Sequence, residues 1–136
     1  MKKIIRMLDM YQKRYYNESM NDDAIILKVV FFRTLNGREP VREWLLSLSQ
    51  EQKKAIGTEI KVVQYGWPLG MPVVRKMSSG LWEVRVNIPD GIARVLFTVD
   101  KNLMILLHGF IKKSQKTPEN ELETAINRLN QYRGKK

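Results

Sequence analysis

Residues 81–99 restrict the fold of this chain more than any other stretch. Leu81–Ile88 alternates: Trp82, Val84, Val86 and Ile88 fall on one side of an extended backbone, and Glu83, Arg85 and Asn87 on the other. Pro89-Asp90-Gly91 supplies turn chemistry, and Ile92–Val99 returns with Val95, Phe97 and Val99 inward and Arg94 and Thr98 outward. A loop with an even number of residues keeps Val84, Val86, Val95 and Phe97 together on one face and both arginines on the other. With the turn at Asp90-Gly91, Arg94 lies opposite Asn87 and Arg85 opposite Leu96. A three-residue loop would put Arg94 beside Val86 on the apolar face, so the hydrophobic pattern selects the even loop. Two guanidinium groups side by side on an open sheet face repel each other unless an anion lies between them. That favours a phosphate-binding face. The alternative is that Arg85 is tied up in an ordinary ion pair with Glu83, or with Glu121 or Glu123 of a C-terminal helix.

The flanking segments have equally readable periods. Ala24–Arg33 is β-branched and aromatic (Ile25, Ile26, Val29, Val30, Phe31, Phe32) and is predicted as a strand, ended by Asn36-Gly37. Pro40 stands where a first helical turn tolerates proline, and Val41, Trp44, Leu45 and Leu48 follow at i, i+3, i+4, i+7. Ser49 and Gln52 form a capping-box pair for a second helix, which carries Ile56, Ile60 and Val63 on one side and ends near Gly66. Pro68, Gly70 and Pro72 mark a loop. Leu103–Ile111 is apolar on both faces, the pattern of a doubly buried strand. Thr117-Pro118 opens a last helix striped by Leu122, Ala125, Ile126 and Leu129. Residues 1–23 stand apart from the domain of residues 24–136. Ile4, Leu8, Tyr11 and Tyr15 recur at helical spacing among Lys2, Lys3, Arg6, Lys13 and Arg14, as in a short basic amphipathic helix, before a polar linker from Asn17 to Asp23. Met20 is an alternative start of translation.

Charge points to a class of partner. The 136 residues carry a formal net charge of +10, which attracts polyanions and steers them at low salt. Solubility or an acidic protein partner accounts for the same excess. Three lysines, Lys112, Lys113 and Lys116, lie between the last strand and the last helix, whose first N–H groups could also face an anion. The alternative is a solvated basic loop. His108, the one histidine, falls on the same strand face as Leu106 and Phe110, so a buried structural role competes with that of a general base.

Several chemistries are excluded. The chain has no cysteine, hence no disulfide scaffold, no thiolate metal site and no cysteine nucleophile. One histidine beside no cysteine leaves no ligand set for zinc. There is no Walker loop, no dinucleotide fingerprint and no nucleophile elbow. The first apolar run, Ile4-Ile5, stops at Arg6, and no window reaches the roughly 20 apolar residues of a membrane span. The expectation is a soluble cytoplasmic protein with no membrane partner.

Four motifs in order add a resemblance. Pro40-Val41-Arg42-Glu43-Trp44-Leu45, Gly80-Leu81-Trp82-Glu83-Val84-Arg85, Ala93-Arg94-Val95-Leu96-Phe97, and His108-Gly109-Phe110 with Lys112-Lys113 and Lys116-Thr117-Pro118 resemble the phage-derived, Gp49-like branch of HigB toxins in the RelE/ParE superfamily. The resemblance runs from about Leu27 to Leu129 and leaves residues 1–23 aside. It implies an α+β fold in which two N-terminal helices pack on a twisted, mainly antiparallel sheet with a C-terminal helix. It also implies a toxin of a type II toxin–antitoxin system that cleaves translated mRNA on the ribosome without a metal or other cofactor. The implied inhibitor is a HigA-like helix-turn-helix antitoxin. A ParE-like toxin that poisons DNA gyrase shares the fold and is the alternative; a non-toxic basic adaptor is a third reading. Carried over by position, Arg85, Arg94 and Lys112 become the catalytic set, and Lys76, Lys113 and Lys116 the RNA-binding one. There are departures. Glu83 stands where some relatives have lysine, Ala93 where an aromatic residue is common, and no tyrosine lies near the start of the last helix to act as base. Lys112, His108 or a ribosomal group remain candidates for that role.

Overall fold

The computed structural model describes residues 24–112 and 116–134. The expected basic helix, the linker and Met20 lie outside the described residues, as does Lys113. Among the described residues the order is β1 (Lys28–Phe31), α1 (Pro40–Leu46), α2 (Gln50–Gly66), β2 (Val74–Ser78), β3 (Leu81–Ile88), β4 (Gly91–Asp100), β5 (Leu103–Lys112) and α3 (Glu119–Gly134). The strands form one sheet in the order β1-β5-β4-β3-β2. Only β1 and β5 pair in parallel; the other three pairings are antiparallel. The α+β class and the two-helix, sheet, C-terminal-helix arrangement expected from the resemblance are what the chain adopts.

Local chemistry sets the element ends. Pro40 begins α1 at a position whose N–H has no helical partner to lose. Ser49 and Gln52 exchange both capping-box bonds, Gln52 N–H to Ser49 Oγ (3.2 Å) and Ser49 N–H to Gln52 Oε1 (2.9 Å), and so start α2. β1 is shorter than the predicted Ala24–Arg33. The N–H groups of Ile26 and Leu27 donate to the carbonyl of Gln64 at the end of α2 (2.8 and 3.1 Å), not to a strand. Gln64 Nε2 returns a bond to Leu27 O (3.1 Å), so the entry to the sheet is tied to the helix layer.

Both faces of the sheet are covered. On one, Val41 and Leu45 of α1 and Ile56, Ile60 and Val63 of α2 meet Val84, Val86, Ala93, Val95, Phe97, Met104 and Leu106. Each such aliphatic side chain, fully buried, contributes roughly 1.5–3 kcal/mol. On the other, Ala125 and Leu129 of α3 close over Leu81, Leu96, Ile105, Leu107 and Phe110. The parity expected for the hairpin is therefore right, but its polar side is not open to solvent: Glu83 and Arg94 are fully buried and Thr98 nearly so.

Two register details differ from the sequence reading. The hairpin pairs Ile88 with Gly91, which leaves Pro89-Asp90 as the two-residue loop and sets Arg85 directly across from Arg94. Pro89 has no N–H to give a ladder, and Gly91 takes φ +146°, a backbone shape that L side chains rarely adopt. The turn therefore closes one residue earlier than Asp90-Gly91. In β5, Leu96 faces His108 while the next residue, Phe97, faces Leu106, so Leu107 is a bulge. His108 consequently lies on the α3 side with Phe110, whose ring it stacks on at 5.7 Å, and not with Leu106.

Gly109 sets how closely α1 approaches the sheet. A Cβ there would lie 2.4 Å from Cε3 and Cζ3 of Trp44. Gly109→Ala is expected to cost about 1–3 kcal/mol by overpacking, read as a lower urea midpoint at unchanged m value. A midpoint equal to that of the parent would show that Trp44 yields without cost.

Candidate functional site

The hairpin end of the α3-side face carries most of the sequence-predicted site. Arg85 and Arg94 are direct cross-strand neighbours, Asn87 faces Ile92, and Ile92 faces Lys112 on β5. Since strands lie roughly 4.8 Å apart, Lys112 is about 10 Å of sheet away from β3. That separation is within the combined reach of a lysine and an arginine side chain. Lys116 and Lys112, both exposed, line one cleft of about 580 Å³ with Thr117, Pro118, Glu119 and Leu122. Arg85 is half-buried. Arg85, Lys112 and Lys116 thus lie toward the same end of the sheet, with Arg85 lining a different cleft beside Glu59, Val73 and Asn87.

Arg94 does something different from what the open-face reading expects. It is 0% exposed, its Nη1 lies 3.5 Å from Oε1 of Glu83, itself 0% exposed, and it donates to Thr117 Oγ1 at 2.8 Å. The Thr117 hydroxyl in turn donates to Glu83 Oε2. One hydroxyl thus accepts from the cation and donates to the anion, linking the two charges through a group only 6% exposed. Burial lowers the pKa of Arg94, the Glu83 charge raises it again, and the charges of Arg85 and Arg75 lower it. A guanidinium starts so high that it stays protonated throughout. Arg94 is therefore a buried cation spent on a carboxylate, not half of an exposed clamp. The reason lies on its own face, where Glu83 stands two residues before Arg85 and Thr117 closes from above.

The other predicted residues separate. Lys76 is exposed but pairs across β2 and β3 with Trp82, on the α1/α2 side. The fold does not bring it to Arg85 and Lys112. Its neighbour Arg75, opposite Glu83, stands on the arginine face instead. His108 is held at both nitrogens: Nε2 lies 2.7 Å from Glu121 Oε1, and Arg128 Nη1 lies 3.1 Å from Nδ1 while also donating to Leu107 O at 2.9 Å. Because Arg128 has only protons to offer, Nδ1 accepts and Nε2 carries the hydrogen given to Glu121. Glu121 is thus engaged by histidine, and Glu83 by Arg94 and Thr117. Among the described residues no group of His, Asp and Glu is gathered as a metal site would need.

Three residues of this arrangement escape the sequence reading. Glu83 is visible there only as an alternative ion-pair partner of Arg85 and a departure from lysine, Thr117 only as a helix start, and Arg75 not at all. A signal does exist for Glu83, the one acid on the alternating face that also carries Arg85. Nothing in the spacing points to Thr117, which is 34 residues from Glu83.

A family model described as phage derived protein Gp49-like matches residues 43–130, about two thirds of the chain. The chain belongs to the Gp49-like family. This is a family of RelE/ParE-like toxins, and the match takes in the hairpin, the lysines after β5 and most of α3. It begins inside α1, so β1 and Pro40-Val41-Arg42 precede it. No curated protein matches the chain.

Two outcomes are expected for this Gp49-like site. Glu83→Gln leaves Arg94 buried without its counter-charge and is expected to cost about 3–5 kcal/mol in urea unfolding. A loss below about 1 kcal/mol would mean that water or another group reaches Arg94. Burial, more than the opposing Glu121 bond, lowers the pKa of His108, and the Arg128 charge lowers it further. On acidification the unfolded chain therefore binds this proton first. Stability is full above the ordinary histidine value of about 6.5 and falls below it, by at most about 1.4 kcal/mol per pH unit, until the folded group also titrates. His108→Gln is expected to remove that slope between pH values of about 7.5 and 5.5. Parallel curves for variant and parent would refute a neutral, partly buried His108.

Proposed function

We propose that this chain is the toxin of a type II toxin–antitoxin pair and acts as a ribosome-dependent endoribonuclease on translated mRNA in the cytoplasm, held in check by a HigA-like helix-turn-helix antitoxin. The observation that carries the reading is the gathering of Arg85, Lys112 and Lys116 at one end of a sheet face, in a chain of a RelE/ParE-like toxin family. Phosphate positioned there meets cationic donors on two sides. In the reaction proposed, the ribose 2′-oxygen attacks the adjacent phosphorus, an O–P bond forms, and the bond to the 5′-oxygen of the next nucleotide breaks. The proton released from the 2′-hydroxyl is balanced by the one taken up by the departing oxygen, which leaves a cyclic phosphate and a free 5′-hydroxyl. Arg85 is suited to the crowded phosphorane because its planar fork spans two oxygens, and a lysine neutralises the departing oxygen as charge develops. No metal is called for in this scheme.

The buried network changes the assignment of Arg94. Its charge is spent on Glu83, so its part is to hold the hairpin and to leave Arg85, its direct neighbour, as the cation that meets phosphate. His108, with both nitrogens engaged, is given no part as base.

Arg85→Ala and Lys112→Ala are each expected to slow cleavage of ribosome-bound mRNA by about 10²–10³-fold, with thermal unfolding close to that of the parent. Arg94→Ala is expected to lose stability as well as activity. Ribosome-bound mRNA left intact by the purified parent protein would overturn the nuclease reading. Induction of the DNA-damage response without mRNA cleavage would replace it with a ParE-like attack on gyrase.

A further inference from the structure

We propose that Thr117 is a positioning residue: its hydroxyl, spent on the buried Glu83–Arg94 pair, fixes the start of α3 and thereby sets Lys116 into the cleft it shares with Lys112. That Lys116 meets RNA phosphate there rests on the nuclease reading; the anchoring itself does not. Thr117 stands just outside α3, before Pro118, whose carbonyl accepts the first helical bonds, so its hydroxyl is not needed as the helix cap. Here the hydroxyl is turned into the sheet instead, donating to Glu83 and accepting from Arg94. The start of α3 is closed by the backbone, with Pro118 O accepting from the N–H groups of Glu121 and Leu122, both at 3.1 Å.

The contrast between neighbours supports the assignment. Thr117 is 6% exposed while Lys116, one residue earlier, is exposed. The chain bends at Lys116, and with Thr117 drawn inward the lysine side chain is left on the outside. The cleft lined by Lys112, Lys116, Thr117, Pro118, Glu119 and Leu122 is thereby built on a side chain that never faces it with a charge. A valine in place of Thr117 has the same shape but can neither donate nor accept, so it loses both bonds at once. A serine keeps both.

The test compares Thr117→Val and Thr117→Ser with the parent by amide exchange at Glu121 and Leu122, and by the salt dependence of binding to a short fluorescein-labelled single-stranded RNA. Thr117→Val is expected to exchange at least about tenfold faster at both amides, a shift well beyond fraying differences at an ordinary capped end. Its log–log salt slope is expected to fall by about 0.7, the share of one phosphate contact on a single strand. Thr117→Ser is expected to restore both. Unchanged exchange in Thr117→Val overturns the proposal. Faster exchange with an unchanged salt slope overturns it too, because Thr117 would then be structural without placing Lys116. If Thr117→Val does not fold, the parent decides. Leu122 exchanging at the rate of a free peptide overturns the proposal, while a protected Leu122 with a slope lowered by about 0.7 in Lys116→Ala supports it. A parent that binds no free RNA would overturn the part given to Lys116 and leave the exchange test of Thr117 standing, while the nuclease reading is decided separately on ribosome-bound mRNA.

Discussion

The molecule is organised around a cation that never reaches water. Arg94 sits on the second strand of the hairpin, wholly buried, with its charge met by Glu83 and Thr117. A buried charge of this kind is costly unless every partner is present, since the desolvation of each ion is offset only by geometry and by the remaining hydrogen bonds. The network joins β3, β4 and the start of α3 at one point, so the fold cannot place α3 elsewhere without exposing an unpaired charge to a dry environment. What this achieves is a fixed position for α3 over the sheet, which hydrophobic contacts among Leu96, Ile105, Ala125 and Leu129 would specify only loosely.

Burial also divides labour between two arginines that the sequence presents as equals. Arg85 and Arg94 face each other across the hairpin. One is enclosed and neutralised, and the other is left at the margin of the covered region. A face lined with cations would repel itself in the absence of ligand. Diverting Arg94 to an internal carboxylate lowers that repulsion while keeping positive charge where the strand ends emerge.

Much of the fold was legible from period alone. Strict alternation in β3 and β4 predicts which side chains share a face, and the capping box at Ser49 and Gln52 predicts where α2 starts. These features are local, and local chemistry decides them. The polar side of the hairpin was misjudged because its cover comes from α3, more than 20 residues downstream, and no periodicity within β4 reports it. The bulge at Leu107 was equally silent: Leu106-Leu107-His108 holds no glycine or proline to mark it, and apolar residues on both sides hide a change of parity. Of the candidate site, the gathering of Arg85, Arg94 and Lys112 was foreseen, whereas Glu83 and Thr117 required the tertiary structure. Lys76, expected with the RNA-binding residues, is turned by an edge strand to the far side of the sheet.

That bulge has a consequence beyond His108. In a regular strand, residues 106, 108, 110 and 112 share a face, and Leu106 belongs to the α1/α2 core. The extra residue at Leu107 inverts everything after it, so that Phe110 packs under α3 and Lys112 emerges beside the arginines. A single uncounted residue in the middle of an apolar strand therefore decides on which side of the protein a charge at the strand's end appears. Removing Leu107 would leave the net charge unchanged, yet send that lysine to the α1/α2 side and leave the arginine face with one wall missing.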